Sequence, residues 1–359
     1  MNTPDLRVIR DDVRTTAAYA VVPADGLVKL DAMENPFGLP DELSHALGER
    51  LARVALNRYP PSEPAAFKAR LARAMGVPPD MGVLLGNGSD ELIHLVIQGC
   101  ARAGATVLSP WPSFEMYAVS ARLDGCRFVG VPLQADFSLD QRAMLAAVEA
   151  DRPAVTFISW PNNPTGNLFD RSQVAAIIEA AAPGLVVLDE AYLPFAQDTW
   201  MPQLAQFPNL LVLRTLSELG LAGIRLGYMA GHPAWIAEFN KLRPPYNVNV
   251  LTLAAADFLL DHLDMLDAQA AALRSERERL LQRLREMAGV TAFQTAANFI
   301  LLRVGDTPRA DAVFGGLRQR GILIKNRTRV HPLLQGCVRT TVGTPAENDR
   351  FLEALRELL

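Results

Sequence analysis

The sequence predicts an α/β fold, with a large, mostly parallel sheet flanked by helices and a smaller α+β domain after it. Two patterns indicate this class. Between about residues 40 and 260, short apolar runs alternate with helical patterns, as in a chain of βαβ units. Further on, a long amphipathic pattern precedes three more strand-like runs. The 359 residues are enough for two packed units of this kind.

Seven apolar runs are the candidate strands of the large sheet. They are VLLG (83–86), ATVLS (105–109), FVGVPL (128–133), AVTFIS (154–159), LVVLD (185–189), LLVLR (210–214) and IRLGYMA (224–230). The small domain should contain a helix and three strands: DAQAAALRSERERLLQRLREMA (267–288), NFILLRV (298–304), GILIKN (321–326) and CVRTTVG (337–343). We therefore expect an N-terminal arm at residues 1–28, a large domain at 29–250 and a small domain at 251–359.

Composition and charge exclude several classes of function. The net charge of −4 gives no reason to expect nucleic acid or an anionic membrane as a partner. No apolar run reaches the ~18 residues of a membrane span, and MNTPDLRVIRDDVR carries charges where a signal peptide needs an apolar core. The three cysteines and five histidines lack metal-ligand spacing. We expect a cytoplasmic protein with reduced thiols and no bound metal.

Several polar motifs follow predicted strands, and open α/β sheets bind ligands at the carboxyl ends of their strands. The turn GNGSDE opens a helix, so that backbone N–H groups at Ser89 and Asp90 could bind an anion, although a plain helix cap is an equal alternative. The sixth strand leads into Thr215 and Ser217, and Arg225 begins the next strand. Two hydroxyls and a guanidinium suit a phosphate monoester.

A second group of residues could bind an aromatic ring. Asp189 ends an apolar run, so it should be buried and should need an arginine or a protonated ring nitrogen as partner. Tyr192 and Asn163 could each donate a hydrogen bond to a phenolic oxygen, although the Asn163 loop could be only a structural turn. Phe114 offers an aromatic face, or it is part of the core. Together with the phosphate cup, these groups describe a site for pyridoxal phosphate, whose ring Asp189 would keep protonated.

At this point the chain resembles the fold-type I pyridoxal-phosphate-dependent aminotransferases, most closely the histidinol-phosphate aminotransferases. The motifs follow one another along nearly the whole chain: LDAMENPFGLP, NRYPP, GNGSDE, PNNPTG, VVLDEAY, RTLSELGLAGIRLGY, RPPYNVN, ANFILLR and GCVRTTVGTPAEND. The resemblance implies transfer of an amino group between L-histidinol phosphate and 2-oxoglutarate, giving imidazole acetol phosphate and L-glutamate, in histidine biosynthesis. It also implies a homodimer with shared active sites.

The resemblance assigns roles to individual residues. Cofactor contacts are implied for Ser89, Asp90, Phe114, Asn163, Asp189, Tyr192, Thr215, Ser217 and Arg225, with Tyr59 reaching the cofactor phosphate of the partner subunit. Substrate contacts are implied for Arg339, which would bind a carboxylate or the far end of the substrate, and for Tyr19, Asn35 and Lys325. Three positions depart from the usual pattern: Phe114 stands where Tyr is common, Lys325 where Arg is common and Met33 where Asn is frequent.

The largest departure is Glu218, which stands at the position of the Schiff-base lysine. That lysine bonds to the cofactor and shuttles a proton during the reaction. A carboxylate cannot form an imine, and the lysines of this chain, Lys29, Lys68, Lys241 and Lys325, are distant in sequence. Cofactor binding should therefore be non-covalent. The negative charge should favour pyridoxamine phosphate, which carries a cationic amine, over the aldehyde.

Three accounts of Glu218 remain open, as do three rival functions. The chain could be a variant, acquired or made in the laboratory, of an active aminotransferase; a natural protein that binds the cofactor without transaminating; or an enzyme that uses the carboxylate as a base. The otherwise intact site favours the first account. The rival functions are an aminotransferase for aromatic or other amino acids, an amino-acid phosphate decarboxylase, and a non-catalytic protein that binds pyridoxal or pyridoxamine phosphate.

Overall fold

The computed structural model describes residues 5–18 and 22–359, and it contains the α/β architecture expected from the sequence. The strands are β1 (Val28–Lys29), β2 (Gly82–Gly86), β3 (Thr106–Trp111), β4 (Arg127–Pro132), β5 (Val155–Ser159), β6 (Leu185–Asp189), β7 (Leu210–Thr215), β8 (Gly227–Gly231), β9 (Thr291–Ala292), β10 (Phe299–Arg303), β11 (Ile322–Leu323), β12 (Lys325–Asn326) and β13 (Cys337–Thr341). The helices are α1 (Asp11–Thr15), α2 (Asp41–Ala52), α3 (Ala65–Ala74), α4 (Ser89–Cys100), α5 (Glu115–Leu123), α6 (Gln141–Asp151), α7 (Arg171–Ala181), α8 (Leu193–Ala196), α9 (Pro233–Asn240), α10 (Val250–Leu259), α11 (Leu263–Arg285), α12 (Thr307–Gln319) and α13 (Pro345–Leu358). Within the described residues, no helix is both long enough and apolar enough to cross a membrane.

The large sheet of the described chain has seven strands in the order β2-β8-β7-β6-β5-β3-β4. Strand β8 runs antiparallel to both of its neighbours, and the other pairings are parallel. All seven predicted strands are therefore confirmed. The largest boundary error is at the last strand, which begins at Gly227 instead of 224. Arg225 does not begin this strand, because its φ of 52° is left-handed and cannot extend a strand.

The alternation of side chains along β6 fixes where its terminal acid points. Val186 and Leu188 pack in the core on one face of the large sheet, and Leu185 and Val187 pack in the core on the other face. Asp189 continues the second set, because side chains alternate between faces with a period of two residues. It therefore ends the strand on the face where Tyr117 is buried.

The C-terminal part of the chain forms a smaller antiparallel sheet in the order β12-β13-β10-β9, with α11, α12 and α13 packed on a shared apolar cluster. The long helix predicted at 267–288 is present as α11, three to four residues earlier. GILIKN was predicted as one strand and is two: β11 pairs in parallel with β1, and β12 pairs with β13. The chain changes sheets at Ile324, which is buried. The proposed boundaries at 28 and 250 stay a prediction.

Candidate active site

A cavity of about 210 Å³ lies at the carboxyl ends of the central strands. Nine of the residues predicted from the sequence line it: Ser89, Asp90, Phe114, Asn163, Asp189, Tyr192, Ser217, Glu218 and Arg225. They come from separate turns along the chain, which the parallel strands bring to one edge of the sheet. The sequence motifs therefore converge in space as expected.

One side of the cavity is built to hold an anion. Arg225 packs so closely over Gly88 that a Cβ on Gly88 would lie 2.6 Å from Arg225 Nη2, and the φ of 88° at Gly88 also favours glycine. Helix α4 begins at Ser89 without a side-chain cap, which leaves N–H groups of its first turn available. Arg225 Nη1 lies 3.4 Å from Ser217 Oγ, and Thr215 Oγ1 donates to the same oxygen at 2.9 Å. Thr215 is thus behind Ser217 and orients it.

Asp189 is a buried acid that has hydrogen-bond donors but no ion-pair partner among the described residues. Its Oδ2 accepts a hydrogen bond from Tyr117 Oη at 2.7 Å, and its Oδ1 accepts one from the Ala191 N–H at 3.2 Å. Burial raises the pKa of Asp189 to about 6, although both hydrogen bonds oppose the shift. A cationic ring nitrogen would supply the missing partner.

The arginine that sequence reasoning could have matched to Asp189 binds a different acid. Arg214 Nε donates to Glu190 Oε2 at 2.9 Å, and both side chains are buried. Because Asp189 and Glu190 are consecutive, their side chains leave the end of β6 in different directions. Tyr117 and this Arg214–Glu190 pair were both missed at the sequence level. The signal for Tyr117 was its place in α5, one helical turn after Phe114.

Asn163 and Tyr192 form a donor pair in the cavity wall. Asn163 Nδ2 donates to Tyr192 Oη at 2.9 Å, and Arg339 Nη1 donates to Asn163 Oδ1 at 2.6 Å. Burial, and then the charge of Glu218, raise the pKa of Tyr192 above its ordinary value. The phenol therefore stays protonated and can donate its own proton to a ligand oxygen.

Glu218 lies in a single irregular turn, Ser217–Leu221, which Gly220 kinks with a φ of 119°. Its Oε2 is buried and has no hydrogen-bond partner in the described part of the chain. Burial, followed by repulsion from Asp189 and Asp90, raises the pKa of Glu218 to about 8, while Arg225 opposes the shift. No lysine is among the residues that line the cavity.

A second chamber of about 220 Å³ adjoins the first and shares Asn163 and Phe114 with it. Its walls include Lys325 and Arg339, which stand opposite each other in the β12–β13 pair. Arg327 also lines it and was missed from the sequence. Two residues after Lys325, it is 5% exposed and its Nε has no hydrogen-bond partner among the residues described. The two-residue period of an extended chain was the signal that could have found it.

Two predicted residues lie elsewhere in the structure. The amide of Asn35 is engaged within the chain, since Nδ2 donates to Gln269 and Oδ1 accepts from the Phe37 N–H. Tyr59 is 80% exposed and stacks on Tyr246, with ring centroids 4.7 Å apart. Tyr19 lies outside the described residues.

Comparisons with known proteins agree with this geometry. The family model for aminotransferase class I and II matches residues 25–355. The chain is 59% identical to histidinol-phosphate aminotransferase 1 of Ralstonia nicotianae, over 97% of this chain and 93% of that protein. It is 56% identical to histidinol-phosphate aminotransferase 1 of Burkholderia lata, over 99% of both.

Solved structures give the same answer at the level of the fold. The crystal structure of histidinol-phosphate aminotransferase from Sinorhizobium meliloti in complex with pyridoxal-5'-phosphate superimposes with a TM-score of 0.87 and 26% identity, covering 99% of this chain and 98% of that one. The matching family model spans most of the sequence, and the relatives match it nearly end to end. The chain therefore belongs to the class I and II aminotransferases.

Proposed function

We propose that this protein is a pyridoxal-phosphate-dependent histidinol-phosphate aminotransferase in which Glu218 impairs the reaction. With lysine at that position, it would convert L-histidinol phosphate and 2-oxoglutarate to imidazole acetol phosphate and L-glutamate, a step of histidine biosynthesis. The observation that carries this proposal is Asp189, a buried acid that accepts hydrogen bonds but has no cationic partner among the described residues. It lies in the same cavity as the anion cradle, our name for Arg225, Ser217 and the start of α4. The relatives named above support the choice of substrate.

The residues present fit the cofactor except for covalent attachment. Arg225, Ser217 and the start of α4 would hold its phosphate, Asp189 its ring nitrogen, and Asn163 with Tyr192 its phenolic oxygen. The bound cofactor would supply an electron sink for the substrate's α-carbon. Glu218 offers neither an amine to bond to it nor, near neutral pH, a free basic site, because most of its carboxyl is protonated when the pKa is about 8.

The remaining residues bind and orient. Tyr117 and the Ala191 N–H hold the Asp189 carboxylate in place. Arg339 donates to the Asn163 amide and also lines the second chamber. A carboxylate bound by Arg339 would therefore be connected through Asn163 to the phenolic oxygen of the cofactor. These groups would set the position of the substrate's α-carbon over position 218.

The second chamber supports an anionic substrate. Like charges placed directly opposite in an antiparallel pair are destabilising, and Lys325 stands opposite Arg339. Arg327 and Lys29 also line the chamber, while Glu115, 3.3 Å from Arg327, and the buried Asp31 offset part of the positive charge. A phosphate or a second carboxylate bound in this chamber would relieve the repulsion. Histidinol phosphate carries the first of these groups and 2-oxoglutarate the second.

We further propose a cytoplasmic homodimer in which Tyr59 contacts the cofactor phosphate of the partner subunit. The exposed Tyr59–Tyr246 stack supports a partner at this surface. Cys100, Cys126 and Cys337 are free thiols, in agreement with a reducing compartment.

The second candidate function is non-catalytic binding of the same cofactor. The absence of lysine from the cavity-lining residues favours it. It shares the cofactor contacts and differs only in what the protein does after binding. An aminotransferase for aromatic amino acids would differ in the second chamber, where Lys325, Arg327 and Arg339 suit a phosphate better than an aromatic side chain.

The test is to assay Glu218→Lys (E218K) with 2-oxoglutarate and either L-histidinol phosphate or L-phenylalanine. We expect the starting protein to be at least roughly 100-fold slower than E218K, because proton transfer alone contributes ~10²–10⁴-fold. We expect kcat/KM to favour histidinol phosphate by about tenfold or more, as one charge-assisted contact of ~1.5–3 kcal/mol gives. Inactivity of E218K with every amino donor would establish the non-catalytic alternative, and a preference for phenylalanine would refute the substrate.

The contribution of the second chamber can be separated with a matched pair. In the E218K background, Lys325→Ala should raise KM for histidinol phosphate about tenfold, through loss of one charged contact. Arg329→Ala removes a basic residue of the same segment that is exposed and paired with Asp311, so its KM should change little. Equal effects of the two substitutions would contradict a specific role for the chamber.

A further inference from the structure

We propose that Glu218 is a binding group for a cationic amine, and that the cavity takes pyridoxamine phosphate in preference to pyridoxal phosphate. The two ligands share the phosphate, the ring and the phenolic oxygen. They differ in one substituent, an aminomethyl group or an aldehyde. This inference rests on the proposed function, because it assumes the same cofactor site.

One of the acids that line the cavity is matched neither by a cation of the described chain, nor by the ring nitrogen of the cofactor, nor by the N-terminus of an α-helix. The lining residues include four carboxylic acids, Glu34, Asp90, Asp189 and Glu218, and one base, Arg225, which is suited to the phosphate. Asp189 is suited to the ring nitrogen, and Glu34 is paired with Lys29 outside the cavity. Asp90 lies at the start of α4, where the helix N-terminus favours an acid. Of these four acids, only Glu218 has a buried oxygen with no partner among the described residues.

The position of Glu218 in the chain matches the position of the differing substituent on the ring. Glu218 follows Ser217 of the anion cradle directly, and its charge also acts on the Tyr192 phenol. In the cofactor, the carbon that carries the aldehyde or aminomethyl group lies between the carbon with the phosphate arm and the carbon with the hydroxyl. Glu218, which lies between the anion cradle and the Tyr192 phenol, is therefore expected next to that substituent.

An ammonium and an aldehyde meet this carboxylate differently. The ammonium offers three N–H donors and a full positive charge, which satisfy the buried Oε2. The aldehyde offers only oxygen lone pairs, which repel a carboxylate unless Glu218 keeps a proton. A buried carboxylate without a cation is unfavourable, so the amine form gains what the aldehyde form cannot.

The same contrast gives opposite dependences on pH. The groups that face Glu218 are Asp189 from β6, Asp90 from α4, Tyr192 and Arg225. Burial raises the pKa of Glu218 most, the two acids raise it further, and Arg225 lowers it. In the empty cavity Glu218 therefore holds a proton near neutral pH, and binding of the amine expels it. Between pH 7 and pH 8.5, affinity for pyridoxamine phosphate should rise and affinity for pyridoxal phosphate should fall.

The experiment is isothermal titration calorimetry of the cofactor-free full chain with each of the two compounds at pH 8. Only binding that inorganic phosphate competes away is attributed to the cavity. We expect pyridoxamine phosphate to bind about tenfold tighter or more, as expected for one charge-assisted contact. Repeating the titration in buffers of different ionisation enthalpy should show release of a proton with the amine only. Glu218→Gln, of the same size but uncharged, should reduce the preference to about threefold or less. Glu34→Gln, which removes the paired acid, should retain it.

The outcomes separate this inference from the proposed function. Equal or tighter binding of the aldehyde, or an unchanged preference in Glu218→Gln, would overturn the inference and leave the proposed function standing. If neither compound binds to the starting protein and neither binds to E218K, both are overturned. Restored aldehyde binding in E218K together with the amine preference of the starting protein supports both.

Discussion

At the scale of single residues, two buried acids in one cavity have different environments. Asp189 accepts hydrogen bonds from Tyr117 and from the Ala191 N–H, whereas Glu218 Oε2 accepts none from the described residues. Burial raises the pKa of both carboxyls, to about 6 for Asp189 and about 8 for Glu218. Asp189 therefore lacks only a cationic partner, whereas Glu218 Oε2 also lacks a hydrogen-bond donor among the described residues.

The Glu218 carboxyl should make stability depend on pH. Its pKa rises from 4.5 in the unfolded chain to about 8 in the folded one, so the folded state binds the proton more tightly. The free energy of unfolding should therefore fall as the pH rises from about 4.5 to 8, and the loss should be complete above 8. We expect Glu218→Gln to stabilise the cofactor-free protein by roughly 2–4 kcal/mol at pH 8.5 and hardly at all at pH 4.5.

Urea unfolding at the two pH values measures this difference. Glu34→Gln is the matched control, because that acid is half-exposed and already paired with Lys29. It should change the free energy of unfolding by less than about 1 kcal/mol at either pH. A Glu218→Gln variant with the same pH profile as the starting protein would show that the carboxyl is not buried as described.

Most of the residues predicted for the site line one cavity, but their hydrogen-bond partners were not readable from the sequence. Motifs at strand ends predicted nine residues of the cavity wall, because parallel strands deliver their carboxyl ends to one edge. The hydrogen bond between Tyr117 and Asp189 joins residues 72 positions apart, and nothing local indicates it. Arg327 was missed because no ligand-binding motif includes it.

At the scale of elements, the anion cradle depends on close approach between two turns. Gly88 in the β2–α4 turn lies under Arg225, and a Cβ on Gly227 would come within 2.8 Å of the Gly88 carbonyl carbon. Gly227 is required for lack of space against this backbone, whereas Gly88 is required by its φ of 88° and lies against the mobile end of Arg225. The left-handed Arg225 turns its guanidinium toward this gap before β8 begins.

Gly88→Ala should therefore damage anion binding as well as stability. The added Cβ would displace the Arg225 guanidinium, so we expect affinity for inorganic phosphate and for either cofactor form to fall about tenfold, by loss of a charge-assisted contact. Gly104→Ala is the matched control: its φ of 77° is also left-handed, but nothing lies within 4 Å of the added Cβ.

Both variants should lose roughly 1–2 kcal/mol of stability from backbone strain alone. Titration calorimetry with inorganic phosphate, beside urea unfolding, separates the two effects. If Gly104→Ala loses as much phosphate affinity as Gly88→Ala, the loss comes from general destabilisation and the cradle described here is wrong.

The elements themselves were predicted well where they are long and apolar. Six of the seven strands of the large sheet followed from runs of mostly buried residues, since a strand covered on both faces reads as continuous apolar sequence, whereas the edge strand β4 is largely exposed. The errors came where the backbone changes direction within such a run. Arg225 interrupts one run with a left-handed turn, and Ile324 is the point at which GILIKN passes from one sheet to another.

At the scale of the whole molecule, Tyr59 and Tyr246 form an exposed aromatic pair on a chain whose other aromatic contacts are mostly buried. The order of motifs along the chain was enough to indicate the family and the fold. How two copies assemble depends on surface shape, which the sequence pattern does not encode. The proposed sharing of active sites between subunits can be tested only in the assembled protein.

Subunit complementation tests the shared site. In the E218K background, Tyr59→Ala and Asp189→Asn should each reduce transamination strongly. Mixed dimers of the two variants contain one site with both changes and one with neither, so random exchange should restore activity to about a quarter of that of E218K. Mixtures that stay as inactive as the separate variants would show that Tyr59 serves its own subunit or no site at all.

We propose that position 218 alone prevents covalent binding of the cofactor by an otherwise complete aminotransferase site. The most direct measurement is intact and peptide mass spectrometry after pyridoxal phosphate and borohydride are added to the starting protein and to E218K. We expect one adduct per chain at position 218 in E218K and no stoichiometric adduct in the starting protein. A stoichiometric adduct in the starting protein at Lys29 or Lys325, which line the adjoining chamber, would contradict it, as would an E218K chain that remains unlabelled at position 218.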